Sequence, residues 1–454
     1  MQRIYNFLER AVGADALNQL LGPGLWALII KLVGAALSYI MFVVFARILN
    51  PQDYGYFGIA FNLAILFSTV CDIGLATAVM RFYPQYLSLG QISRAVGFTN
   101  ASLKWIAVCC GALVIISILL SLTGLATPKL GYWDAPIAIA IFASAAAFGD
   151  YISGLLRAQG KVIWAMAPRD IFWRILAPVV AIIFVAFGAQ MDARISIYIC
   201  GALQLAFVAL QLRQSRLAMR ALSSPTPETE WPVWRKTVGP LWASAVLYAM
   251  IQQLDVVVVG ALAPASEAGS YFAAQKTASL LGLVMLAGGL VGAPLMSANY
   301  HSGKFRELQR LCGLLGIAIA VSTIAGLLVL VLFGHQLLGL FDASFTSAYA
   351  VLLILAVGYF VDSMAGPNAY LMQMTGLEST YLKIMGTCYA FVLAAQLLLV
   401  PIYGGMGAAI ASACGIVIWN VWAIIVLRTR KGLDPSVFGL LFKPKNGLYD
   451  LTHR

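Results

Sequence analysis

Long apolar runs alternate with short polar turns along almost the whole chain. Twelve such runs lie near 25–49, 54–80, 102–124, 134–157, 171–189, 194–213, 239–263, 270–298, 311–333, 346–374, 379–401 and 404–428. Each is long enough to cross a hydrocarbon core of ~30 Å as a helix. Barrel strands need ~10 residues of alternating polarity, a pattern that the sequence lacks. The pattern therefore predicts an all-α polytopic membrane protein with about twelve spans.

The turns carry their own signals. In "ARILNPQDYGYFGIAF" (46–61), Pro51 and Gly55 interrupt a run too long for one crossing. Asn50, Gln52 and Asp53 suit a turn in water, and Tyr54, Tyr56 and Phe57 suit an interfacial aromatic belt. The stretch predicts a tight hairpin between the first two spans. Before them, Ile4, Phe7, Leu8, Ala11 and Val12 recur at helical spacing, which predicts an interfacial helix within 1–24. That segment lacks an early apolar block and a small-residue cleavage site, so no secretory signal peptide is expected.

Composition agrees with a lipid solvent. Hydrophobic residues make up 61% of the chain and charged residues only 10%, against roughly 25% charged in soluble domains. The 7 cysteines lie in or beside apolar runs without metal-ligand spacing. No disulfide framework and no metal site are expected.

Charge fixes an orientation. With the amino terminus in the cytoplasm, 24 of the 29 basic residues fall inside. Arg47, Lys129 and Arg194 fall outside, and Lys31 and Lys276 fall within spans. The asymmetry predicts cytoplasmic termini and an even number of spans. The net charge of +11 then reflects topology and anionic lipid headgroups, not nucleic acid.

The polar segment 214–238 divides the spans six and six. A shift of 214 residues lays "LNPQDYGYF" (49–57) on "LAPASEAGSYF" (262–272) and Gly55 on Gly269. Leu66 then meets Leu280, Gly74 meets Gly288 and Tyr86 meets Tyr300. Six spans per repeat give both repeats one orientation. The expected architecture is two six-helix bundles, 25–213 and 239–428, related by a pseudo-two-fold axis along the membrane normal around a central cavity. Residues 429–454 are expected to form a cytoplasmic tail.

The segment "FARILNPQDYGYFGIAFNLAILFSTVCDIGLATAVMRFYPQYL" (45–87), with "LLRAQGK" (155–161), resembles the polysaccharide, or O-antigen-type lipid-linked oligosaccharide, flippases. These belong to the multidrug/oligosaccharidyl-lipid/polysaccharide exporter superfamily. The resemblance implies alternating access and movement of an undecaprenyl-diphosphate-linked oligosaccharide to the periplasmic leaflet of a bacterial inner membrane. The glycan would serve O-antigen, capsule or exopolysaccharide synthesis. A polysaccharide polymerase and a chain-length regulator are the protein partners it suggests.

Ionisable groups within spans are costly and mark pathways or pairs. Lys31 and Asp72 lie at similar depths, ~9 and ~12 Å from the inner ends of spans one and two, and are expected to meet. Asp255 and Lys276 lie ~10 and ~9 Å from the outer ends of spans seven and eight. The candidate substrate groups are Lys31, Lys276, Arg47, Arg157 and Arg174 for the diphosphate, with Gln252 and Gln253 for sugar hydroxyls. The resemblance favours cations on spans one and eight in this role. Asp72, Asp150, Asp255 and Asp362 are candidates for binding a coupling proton or sodium ion, or for fixing helix packing. His301, His335 and His453 are scattered, and no glycine-rich phosphate loop occurs, so no cofactor is expected.

A multidrug/cation antiporter and a peptidoglycan-precursor flippase are the alternatives. An antiporter for cations would favour acidic groups in the cavity, whereas spans one and eight carry Lys, and the resemblance for the peptidoglycan branch implies fourteen spans. A membrane enzyme is not expected. The longest outer loops, 124–133 and 334–345, offer only Asp342 and the boundary Asp134 as acids, too few to position donor and acceptor.

Overall fold

The computed structural model describes residues 25–125, 127–220 and 226–441. The expected helix within 1–24 lies outside the described residues, which contain helices and turns but no strand. The chain divides into two compact units. One comprises residues 29–272; the other comprises the described part of 273–454 with Leu25–Leu28.

The first unit opens with most of α1 (Leu25–Ile48), from Ile29 on, and α2 (Pro51–Asp72), joined by the expected hairpin. Asn50 caps α2: its side-chain oxygen accepts from the Asp53 N–H at 2.8 Å, and its amide donates to Asp53 Oδ2 at 2.7 Å. Pro51 then occupies the first turn, where its missing N–H costs nothing. Asp53 also accepts from the Tyr132 hydroxyl at 2.6 Å. Burial and this bond hold the Tyr132 phenol above its ordinary pKa, so it keeps the proton it donates to Asp53 into more alkaline solution than a free phenol would.

The second span is not one helix. Ile73 (φ 52°) and Gly74 (φ 72°) break it, and α3 (Leu75–Ser88) follows. Asp72 Oδ1 accepts from the Ala76 N–H at 3.0 Å and so serves the first turn of α3. A Cβ on Gly74 would fall 2.7 Å from the Trp242 nitrogen. Only glycine admits the seventh span at this break.

Next come α4 (Ile92–Thr123), the short α5 (Thr127–Leu130) and α6 (Ala135–Ala158). Helix α6 is the centre of the unit: Ala138, Ala140, Ala143, Ala145, Ala146 and Ala147 are all buried. Small side chains let neighbouring backbones approach in lipid, where dispersion replaces hydrophobic driving force. The fifth span consists of α7 (Val162–Ala167), a π-helical turn at Pro168–Phe172 and α8 (Trp173–Ala186). The unit continues with α9 (Ala193–Arg220) and α10 (Trp231–Leu262).

The polar stretch before α10 is tied down. Arg94 pairs with Glu228 at 3.3 Å and Glu230 at 3.1 Å. The Trp234 indole donates to the Tyr86 hydroxyl at 2.8 Å. Further along α10, the Trp242 indole donates to the Val70 carbonyl at 3.1 Å. At its far end, α11 (Ala265–Ala278) begins against α2. A Cβ on Gly55 would fall 1.7 Å from the Ala265 carbonyl oxygen, and one on Gly269 would fall 3.1 Å from the Gly55 nitrogen. The equivalent glycines of the two sequence repeats are thus packed on each other. The first unit includes α10 and residues 265–272, and its boundary falls within α11.

The second unit holds α12 (Gly282–His301), α13 (Phe305–Phe341), α14 (Tyr349–Ala365), α15 (Asn368–Met374) and α16 (Glu378–Lys431). Gly366 (φ 70°) and Pro367 separate α14 from α15. Helix α16 is two spans joined at Gly404 (φ 55°, ψ −138°). Among the described residues, 10 helices are long and apolar enough to cross a membrane. Dividing α16 at Gly404 and adding the broken fifth span brings the number to the expected twelve.

Residues 432–440 turn back onto α13. Gln309 Nε2 donates to the carbonyls of Asp434 and Gly439 at 2.6 and 2.8 Å, and Gln309 Oε1 accepts from the Asp434 N–H at 2.8 Å. Asp434, only 1% exposed, pairs with Arg428. Close approach to Gly313, Gly316 and Gly366 makes room for the segment.

Candidate functional site

The π turn of the fifth span gathers charge. Lys31 Nζ on α1 lies 2.8 Å from Asp170 Oδ2. Arg174 Nη1, one helical turn on, lies 3.8 Å from Asp170 Oδ1. The same guanidinium donates to the Gly34 carbonyl at 3.0 Å and the Asp170 carbonyl at 3.1 Å. A Cβ on Gly34 would fall 2.7 Å from the Asp170 oxygen, so the glycine permits α1 to reach the turn. π turns inside helices redirect side chains and recur at functional sites. Here the turn sends Asp170 to α1 while its neighbour Arg169 pairs with Asp150 of α6 at 2.5 Å.

Two more charged groups complete the cluster. Arg157 lies two turns beyond Asp150 on α6, within electrostatic range of Arg169, Asp150 and Asp170, and donates to the Ser153 carbonyl at 3.4 Å. Asp72, buried at the break of the second span, senses Asp150 and Arg169. Three cations (Lys31, Arg169, Arg174) thus pair with two carboxylates (Asp150, Asp170), and Arg157 and Asp72 lie within electrostatic range of them. The Lys31 and Arg169 side chains remain 35% and 32% exposed, whereas Asp170 is 4% exposed. The cations are reachable and their central counter-ion is covered. Such an arrangement suits a polyvalent anion.

Several expectations on these residues change. Lys31 pairs with Asp170, not with Asp72 as similar depth suggested. Asp72 instead serves the backbone of α3, because the break at Ile73–Gly74 exposes N–H groups that need an acceptor. Arg174 belongs to the cluster and not to the cytoplasmic rim, since the π turn carries it onto α1.

Arg169 and Asp170 were not among the candidates. Placing the start of the fifth span at 171 assigns both to a loop, where Arg169 counts as one more inside cation. The available signal was "PRDIFWR" (168–174): a proline, then opposite charges, with Arg174 one turn beyond Asp170.

Other candidates sit elsewhere. Arg47 is exposed and lies ~24 Å along α1 from Lys31 at 1.5 Å per residue. On α10, exposed Gln252 donates to the Tyr248 hydroxyl at 2.9 Å and Gln253 is half-buried. Buried Asp255 accepts from the Tyr271 hydroxyl at 3.2 Å. Lys276, near the end of α11, is half-buried.

The second unit has a polar chain of its own. Asn368, directly after the Gly366–Pro367 break, donates to Asn420 Oδ1 at 2.6 Å. Asn420 donates in turn to Asp362 Oδ1 at 2.9 Å. Thr323 donates to the Ser363 hydroxyl at 2.8 Å beside them. Asp362 is therefore held by an amide, not a cation, among the contacts described.

The long apolar helices, their breaks and the charges set among them define a multi-pass membrane protein of the transporter type. Solved structures agree on the fold. An inward-facing multidrug resistance MATE family transporter of the MOP superfamily matches with a TM-score of 0.71, at 13% identity, over 88% of this chain and 94% of that one. The lipid II flippase MurJ, in an inward closed conformation, matches with a TM-score of 0.67, at 14% identity, over 89% and 87%. In sequence, the probable flippase AglR of Haloferax volcanii is 22% identical over 408 residues, covering 88% of this chain and 82% of that protein. The family model described as polysaccharide biosynthesis protein matches residues 21–299, more than half the chain, and the chain belongs to that family. These relatives are transporters and flippases, not enzymes.

Proposed function

We propose that the protein is a flippase that carries an undecaprenyl-diphosphate-linked oligosaccharide from the cytoplasmic to the periplasmic leaflet of a bacterial inner membrane. The product feeds surface polysaccharide synthesis, in the path of a polymerase and a chain-length regulator. Both termini face the cytoplasm. The observation that carries the reading is the Lys31–Arg169–Arg174 cluster within apolar spans, where accessible cations outnumber the acids beside them. A diphosphate offers the charge and the several acceptor oxygens that such a group satisfies. A cationic drug meets the wrong sign. Lys276 supplies a second positive group, and Gln252 and Gln253 offer amides to sugar hydroxyls. Asp72, Asp150 and Asp362 are the groups through which a proton or sodium ion drives the cycle, with Asp255 anchored by Tyr271.

The test uses a strain that lacks its own flippase and displays no surface glycan. The wild-type chain and Lys31→Arg should restore the glycan, the latter partially because geometry changes with the head group. Lys31→Ala and Arg169→Ala should leave lipid-linked oligosaccharide accumulated on the inner leaflet. Purified protein that exports an organic cation from vesicles, and leaves a polyprenyl-diphosphate glycan unmoved, would sink the proposal.

A further inference from the structure

Asp170 occupies a particular place in the cluster. It is the best-covered carboxylate of the three, and its two side-chain oxygens face different cations. Lys31 reaches it from α1, while Arg174 reaches it along its own helix. Its position is fixed by the backbone: the π turn sets its direction, and Gly34 lets α1 descend onto its carbonyl. The carboxylate oxygen 2.8 Å from Lys31 takes up one of the ammonium's three N–H donors and offsets its charge, so a phosphate oxygen on that ammonium competes with it. The lysine and both arginines, by contrast, keep between a quarter and a third of their side-chain surface accessible.

A carrier has to release what it binds. Cations held ready without a counter-ion would keep a diphosphate, because dissociation would leave them unpaired in a low dielectric. A tethered carboxylate removes that penalty, since it takes the ammonium back as the substrate leaves. The same carboxylate weakens initial binding by competing for the ammonium.

We propose that Asp170 is an internal competitor for the substrate's diphosphate, exchanging with it on Lys31 to set affinity and speed release. The inference rests on the reading of this cluster as the diphosphate site. Binding and release have to be balanced for transport to turn over at all, as for any conducting site. Asp170 therefore trades affinity for rate.

The experiment compares wild type, Asp170→Asn, Asp170→Glu and Lys31→Ala as full chains in lipid nanodiscs, with geranyl diphosphate as the binding probe. Turnover of a fluorescent polyprenyl-diphosphate glycan in vesicles is measured in parallel. Asp170→Asn keeps the shape and removes the charge. It should bind the probe about tenfold more tightly and turn over several-fold more slowly, so that KM and kcat fall together. Asp170→Glu should lie near wild type. A merely structural role for Asp170 predicts lower kcat without tighter binding. If Asn disturbs the turn, Asp170→Ser gives the same readout with a smaller side chain. Lys31-dependent binding that is unchanged or weaker in both neutral variants overturns this proposal alone. Binding that does not depend on Lys31 in any variant overturns the diphosphate reading of the site, and this proposal with it.

Discussion

Lys31 on the first span and Asp170 on the fifth lie 2.8 Å apart, 139 positions apart in sequence. The pair ties α1 to a turn whose next-door residue, Arg169, holds Asp150 on a third helix. One π turn therefore distributes two adjacent opposite charges to two different neighbours. A single substitution here should therefore be felt in three helices.

The Arg169–Asp150 pair tests this directly. Arg169→Met strands a carboxylate among helices and should cost about 1–3 kcal/mol, less than the about 3–5 kcal/mol for a fully buried pair because both groups keep some solvent. Adding Asp150→Leu should recover most of that loss, since no charge is then left alone. Thermal unfolding in detergent reads both. A double variant less stable than Arg169→Met would show that the pair is not the relevant contact.

Glycine at position 55 is required by space. Gly55→Ala should lose most folded protein, because the new Cβ would sit 1.7 Å from the Ala265 carbonyl oxygen and the backbone has to move. Gly111→Ala, whose Cβ meets nothing within 4 Å, should stay within about 1 kcal/mol of wild type. Fluorescence-detected size exclusion of tagged variants compares the two. Equal, normal profiles would contradict the packing described.

Asp362 is held by the amide of Asn420. Asp362→Asn preserves size and should leave the amount of folded protein in the membrane unchanged while impairing flipping and its dependence on a proton or sodium gradient. Loss of folded protein assigns the acid to packing instead. Transport with unaltered ion dependence removes it from coupling.

Arg428→Ala leaves Asp434, 1% exposed, without its guanidinium. The expected loss is about 3 kcal/mol at most, because the Ser436 N–H still donates to the carboxylate at 3.0 Å. The visible effect should be faster cleavage by trypsin at Lys431, the basic residue that leads into the returning segment. Unchanged proteolysis would mean that the Gln309 bonds hold residues 432–440 without the ion pair.

Orientation has its own check. A reporter inserted after Arg220 should be cytoplasmic, as 24 of 29 basic residues then lie inside. Alkaline phosphatase activity from that position would invert the map.

Much of the fold was legible because its determinants are local. Span lengths follow from apolar runs, and the first hairpin follows from Asn50, Pro51 and Asp53, which cap and start α2 within four residues. The site was legible only in composition. Lys31, Asp150 and Arg174 stand out as charges in or near spans, but their partners come from helices distant in sequence. Depth along a helix says nothing of rotation about it, so Lys31 was matched to Asp72 instead of Asp170. The π turn shifts every following side chain around the helix, and no local residue pattern states that shift. Ile73 is a β-branched residue at positive φ, a conformation that sequence preference argues against. The break it makes follows from how α10 packs at Gly74.

The contact between Gly55 and Gly269 has a consequence for descent. These positions are copies of one ancestral site if the two halves arose by duplication, and here each copy is part of the other's surroundings. A methyl group gained at Gly269 has to be absorbed by the Gly55 backbone, and one gained at Gly55 by the carbonyl of Ala265, one turn before Gly269. The two copies are therefore not free to drift apart at this point: a change in one is a selective event for the other, and the repeat is maintained where it touches itself.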